Sequence, residues 1–150
     1  MRPTAKQYQK AKGGRFIPSE SKLQDQVCKY LKVAYPQALF KVDFGAGALL
    51  TGRQAGQQRR QQAVRGWPDI FIAEPRHGFS GLFIELKVEN AKIYKSNGLF
   101  FNEHLENQAN VMEKLKARGF YCCFCKGFDA AKVVIDNWFD QYKLLKFTKS

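Results

Sequence analysis

Acidic residues are scarce in this chain: 13 Asp and Glu stand against 25 Lys and Arg, a formal net charge of +12 over 150 residues. That deficit calls for a polyanionic partner, nucleic acid first and an anionic membrane second. Two further absences count against the membrane. No strongly amphipathic basic helix is legible, and no apolar run approaches a span. The N-terminus has no apolar signal-peptide core, which predicts an intracellular, cytoplasmic protein. Histidine and cysteine are also few, 2 and 4. There are no two CxxC motifs to pair and no zinc-type Cys/His spacing. Cys28 sits in a helical pattern. Cys122, Cys123 and Cys125 crowd one apparent strand, badly placed for disulfides with each other. All four read as small buried hydrophobes; zinc on His77 or His104 is the weaker alternative. No internal repeat or second-domain boundary is visible. With 45% hydrophobic residues the chain is a single globular domain, ordered rather than disordered.

The richest information lies in two short apolar runs, Gly66-Trp67-Pro68-Asp69-Ile70-Phe71-Ile72 and Leu82-Phe83-Ile84-Glu85-Leu86-Lys87. Both read as buried strands. The connection from Glu74 to Gly81 holds Pro75, Gly78 and Gly81, which suits a hairpin. Side chains alternate along a strand, so Glu85 and Lys87 share one face and Leu86 takes the other. Pairing the strands brings Asp69 toward Glu85 and Lys87. Two acids and one amine at a sheet edge can hold a divalent metal and activate a water. The bland alternative is a Glu85–Lys87 ion pair on a wet face. Burial of such charges is costly unless they are paired or bind a metal.

Around these strands the pattern predicts αβββαβα, an α/β sandwich with a small mixed sheet. Residues 1–17 form a basic, flexible arm, equally a solubilising tail or a phosphate-binding arm. The main domain spans 18–145 and a short tail 146–150. A first helix starts near Ser19, capped by Ser19 or Ser21, with Leu23, Val27, Tyr30, Leu31 and Ala34 on its apolar stripe; Pro36 closes it. Glu20 in the first turn is a dipole partner or a site residue. A strand follows over 39–44. The stretch from Gly45 to Gly66 has no acid, many glutamines, and Arg53, Arg59, Arg60 and Arg65. It predicts a nucleic-acid-facing loop with a short helix near 57–63; a solvated loop is the alternative. A second connection, 88–102, carries Lys92, Tyr94, Lys95 and Gly98, a mix suited to phosphate contact or a lid. A helix over 103–118 starts at Asn102 and stops at Gly119. Gln108 falls on its apolar stripe, lining a site or hydrogen-bonded inside. A strand over 120–126 and a helix over 129–142, with Val133, Val134 and Trp138 inward, complete the chain.

This order, with PD on the second strand and ExK on the third, resembles the PD-(D/E)xK nuclease superfamily, and within it the small phage-type members of the VRR-NUC group. Glu20 with Leu23-Gln24, Gly66-Trp67-Pro68-Asp69, Gly81 to Lys87, Tyr94-Lys95 to Gly98, and His104 with Gln108 through Gly119-Phe120 carry the likeness, over residues 19–137. It implies a restriction-endonuclease-like core and a Mg²⁺- or Mn²⁺-dependent endonuclease acting on branched DNA such as Holliday junctions and flaps. It implies metal ligation by Asp69, Glu85 and the Leu86 carbonyl, with Glu20 joining directly or through water. Lys87 would position or deprotonate the attacking water, and Gln108 would orient Lys87 or the nucleophile. A homodimer would account for paired cuts, and a phage origin in a bacterial host would fit. The competing class is a non-catalytic basic nucleic-acid-binding module, which explains the charge but not Asp69, Glu85 and Lys87.

Overall fold

The computed structural model describes residues 8–10, 16–43 and 51–140, and only the backbone of 8–10 and 16. The chain opens with an antiparallel ribbon, β1 (Tyr8–Lys10) against β2 (Phe16–Pro18). Residues 1–7 and 11–15 of the expected arm lie outside the described residues, as do 44–50 and 141–150.

Helix α1 (Glu20–Ala34) follows directly. Ser19, not Ser21, is its N-cap, its hydroxyl accepting from the Lys22 N–H at 3.4 Å. Leu23, Val27 and Leu31 are buried. Ala34, expected on that stripe, is exposed. It closes the helix, and the aromatic Tyr35 beyond it turns back onto the fold, stacked on Phe139 at 4.2 Å between centroids.

Strand β3 (Phe40–Val42) is shorter than expected, and Leu39 just before it is exposed. Helix α2 (Gly52–Gln61) then starts five residues earlier than the sequence reading placed it. Its start is fixed by a capping box. The Thr51 hydroxyl accepts from the Gln54 N–H at 3.2 Å, and the Gln54 side chain accepts from the Thr51 N–H at 3.0 Å.

Strands β4 (Ile70–Ile72) and β5 (Leu82–Lys87) form the expected hairpin, with Ile70 opposite Ile84. Gly81 at the head of β5 tolerates no side chain, since a Cβ there would stand 2.9 Å from the Ile72 carbonyl oxygen. Helix α3 (Glu103–Lys116) is capped by Asn102, which accepts from the Leu105 N–H at 2.9 Å. It crosses over to β6 (Tyr121–Lys126), parallel to β5. Helix α4 (Gly127–Phe139) closes the described chain.

The sheet order is β3-β4-β5-β6, with the first two pairings antiparallel and the last parallel. Alternation along β5 divides the core. Leu82, Ile84 and Leu86 face a cluster built from Leu23, Val27, Leu31, Ala131, Ile135 and Trp138 of α1 and α4. Phe83 faces Val111, Met112 and Leu115 of α3. Val133, expected inward, is 57% exposed. Ala131, Ile135 and Trp138 recur four and three residues apart, and a residue two positions from Ala131 falls on the opposite side of the helix. A polar staple joins α1 to α4. The Tyr30 and Tyr35 hydroxyls and Lys132 all donate to Asp136, the Tyr35 bond being 2.7 Å.

Candidate active site

The β4–β5 register continues one step past the Ile70–Ile84 pair, setting Asp69 opposite Glu85. Opposed residues share a face, and this is the face of Lys87 and of α3. Asp69, Glu85, Lys87 and Gln108 are the buried polar and charged side chains among the described residues. The wet-face reading of the Glu85–Lys87 pair is therefore excluded.

Each of the four has a specific partner. Lys87 Nζ lies 2.9 Å from Glu85 Oε1 and 3.8 Å from Glu20 Oε1. Gln108 Nε2 donates to Glu85 Oε1 at 2.5 Å. The Leu86 N–H donates to Asp69 Oδ2 at 2.7 Å. A strand residue turns its N–H and C=O to the same edge, so the Leu86 carbonyl leaves on the Asp69 side. Glu85 Oε2 and Gln108 Oε1 are buried without a hydrogen-bond partner. Orphaned polar atoms of this kind are costly, and in native proteins they mark a role that protein atoms alone do not fill.

Electrostatics points the same way. Burial pushes the Asp69 carboxyl up to about 6, against the opposing pull of the Leu86 N–H and the Lys87 charge. Burial, and then the Asp69 charge, push Glu85 up to about 8. Two desolvated acids raised in this way are relieved by a cation.

Gly66 positions the PD segment. Its φ of +88° is open to glycine, and its Cα side lies against the backbone of Asn107 and Gln108, 3.5 Å from where a Cβ would sit. Trp67 then rests by Phe83, ring centroids 6.1 Å apart.

Asp43 was not singled out in the sequence. Its N–H donates to the Asp69 carbonyl at 2.8 Å, and its charge adds to the upward push on Asp69. The Gln58 side chain donates to Asp43 Oδ1 at 3.2 Å, and that of Gln24 to its carbonyl at 3.3 Å. The available signal was an acid just past a strand that pairs with the PD strand.

No group of three or more His, Cys, Asp or Glu side chains is arranged to hold a metal among the described residues. Glu20 stands beside Lys87, half-buried, and its charge adds to the upward push on Asp69 and Glu85. Of the two histidines, His77 bonds the carbonyls of Asn137 and Trp138, and His104 is exposed. All four cysteines are free thiols.

Arg53, Arg59, Arg60 and Arg65 are exposed, as are Lys92, Tyr94 and Lys95. Helix α2 buries no residue at all. Its glutamines Gln54, Gln57, Gln58 and Gln61, with Gln62 and Asp43, line a shallow recess of about 360 Å³ beside the site. A helix without an apolar face contributes little to the core, so its polar surface is available for a ligand.

A solved structure described as a VRR_NUC domain protein superposes on this chain with a TM-score of 0.58, covering 87% of this chain and 93% of that one at 20% identity. The fold is restriction-endonuclease-like. No protein-family model and no curated protein matches the chain at the sequence level. Among the described residues no helix is long and apolar enough to cross a membrane.

Proposed function

We propose that this protein is a Mg²⁺- or Mn²⁺-dependent endonuclease that hydrolyses phosphodiester bonds in structured or branched DNA, of the junction or flap type. One observation carries the reading: Asp69, Glu85, Lys87 and Gln108 are buried together, with Glu85 Oε2 and Gln108 Oε1 unpartnered. The restriction-endonuclease-like fold and the +12 charge support it.

The donor set fits a hard divalent cation. Asp69, Glu85 Oε2 and the Leu86 carbonyl offer oxygen alone. Mg²⁺ commonly takes one or two carboxylates and keeps several waters, so a carboxylate triad is not required. Glu20 would act through water or through Lys87. A bound cation would neutralise the phosphodiester and lower the pKa of a water.

The remaining work falls to the chain's own groups. Lys87 supplies positive charge for the phosphate, steered by Glu85 and Glu20 on either side. Gln108 holds Glu85 through Nε2, and its free Oε1 can accept a hydrogen bond from the attacking water. The arginines of α2 and Arg65 would hold the backbone, with Lys92 and Lys95 as further phosphate contacts. A homodimer would bring two such sites to the two strands of a junction.

The test is cleavage by purified protein of labelled four-way junction, flap, single-stranded and linear duplex DNA, with EDTA, Mg²⁺ or Mn²⁺. Metal-dependent cutting of the branched substrates is expected. Binding without cutting under every condition would instead favour a non-catalytic module.

The α2 surface has its own measurement. Arg59→Ala with Arg60→Ala is expected to weaken DNA binding and flatten its salt dependence. Each lost phosphate contact lowers the log–log slope by about 0.9 on duplex DNA. An unchanged slope removes α2 from the interface.

A further inference from the structure

Between Lys87 and Gln108 the chain leaves the site and returns to it. The excursion is a small hairpin with a bridge between Tyr94 and Phe100. Ile93 is buried and anchors it. The Phe101 N–H donates to the Ile93 carbonyl at 2.8 Å, the Lys95 N–H to Leu99 at 2.8 Å, and the Gly98 N–H to Lys95 at 3.0 Å. The Asn97 side chain accepts from the Leu99 N–H at 3.1 Å, closing the turn. The hairpin ends at Asn102, the cap of α3, six residues before Gln108.

This frame holds three large apolar side chains outward. Leu99 is 63% exposed, Tyr94 55% and Phe101 46%. Alternation about the Tyr94–Phe100 bridge puts Tyr94, packed on Phe100 at 5.1 Å between centroids, on one face and Leu99 and Phe101 on the other, so apolar side chains stand on both faces of the braced turn. The charge around them specifies the partner. Lys92 and Lys95 are exposed, and no acid occurs from Ala91 to Phe101. Lysines beside aromatic and aliphatic side chains complement a phosphate backbone next to base faces. Continuous duplex hides its base faces in the stack. Unpaired bases and branch points present them, and apolar side chains can wedge between steps there.

We propose that the Tyr94–Phe101 hairpin is a stacking wedge that seats unpaired bases of the DNA beside the site, so that DNA with a single-stranded branch is selected over continuous duplex. This rests on the nuclease reading above and names the element that recognises the branch. Its position, bounded by Lys87 at entry and by the α3 turn carrying Gln108 at exit, sets the branch point next to the bond to be cut.

The experiment is equilibrium binding of the full chain in EDTA to a flap and to a linear duplex of equal length. Wild type is compared with Leu99→Ser plus Phe101→Ser, and separately with Tyr94→Ala. The apolar variants are expected to lose about tenfold in flap affinity, the scale of one base–aromatic stack. Duplex affinity and its salt slope should stay unchanged, since no phosphate contact is removed. Equal losses on both DNAs, or an unchanged flap affinity, overturn the wedge. Should the double variant misfold, Leu99→Gln alone at the exposed tip makes the same comparison. Because binding is read in EDTA, the two proposals fail separately. Metal-dependent cutting without any hairpin effect overturns the wedge alone. A hairpin-dependent flap preference without cutting supports the wedge and overturns the nuclease.

Discussion

Glu85→Gln is expected to lower DNA cleavage by about 1,000-fold or more, about 4 kcal/mol of transition-state stabilisation, while DNA affinity stays equal or tightens. Glutamine is the informative replacement. Glu85 is fully buried, so alanine would leave a void and an uncompensated Lys87. The glutamine carbonyl can still accept from Lys87 and Gln108, as Glu85 Oε1 does. The amide then stands where Oε2 was and offers a donor in place of an anionic acceptor. A cation loses its ligand, yet the packing survives. Affinity need not fall, because one negative charge facing the phosphate is gone. Cleavage within about tenfold of wild type would sink the assignment of Glu85. Asp69→Asn should behave alike on cleavage.

Without a divalent cation, the folded protein is expected to lose stability as pH rises from about 4 to about 8, by on the order of 2 kcal/mol or about 5 °C in Tm. The sign follows from the raised acids. Burial lifts Asp69 to about 6 and Glu85 to about 8, above their values of 3.8 and 4.5 in the unfolded chain. The folded state therefore holds protons that the unfolded state has already released. Stability from this source is present below the unfolded values and is lost as pH passes through the folded ones. Mn²⁺ or Mg²⁺ is expected to reverse the trend, since ligation would require the deprotonated acids and binding to the folded state would stabilise it. Thermal unfolding should thus show a metal-induced rise that is larger at about pH 8 than at about pH 5. In Glu85→Gln both the pH slope and the metal-induced rise should shrink. A metal-induced rise of equal size at both pH values would contradict coupling to these carboxylates.

The site's strands were readable because period-2 alternation fixes faces independently of tertiary context. Glu85 and Lys87 could be put on one side of the sheet from their spacing alone, and Asp69 joins them through the pairing of the two strands. Gln108 was readable as a polar residue on an apolar helical stripe, and the structure buries it against Glu85. Other features were not accessible in this way. Asp43 meets Asp69 through β3–β4 pairing, which no local pattern encodes. The direction of Val133 depended on which stripe of α4 wins, and Trp138 with Ile135 decides it. The ribbon of β1 and β2 hides in a basic, glutamine-rich stretch whose composition resembles a tail. The start of α2 was legible after all, in Thr51 and Gln54, a capping box that sequence reading passed over.

The parallel pairing of β5 with β6 bears on biosynthesis. Leu82 pairs with Tyr121 and Lys87 with Lys126, so every contact of that ladder spans 39 residues and closes only over the whole of α3. Long-range closure of this kind comes late in folding. As the chain emerges from the ribosome, the PD and ExK segments are made well before Gln108 and β6 exist to bury them. Until then the face of β5 that carries Glu85 and Lys87 lacks the Gln108 contact. The second edge of the ExK strand is therefore covered only once the last third of the chain has been synthesised.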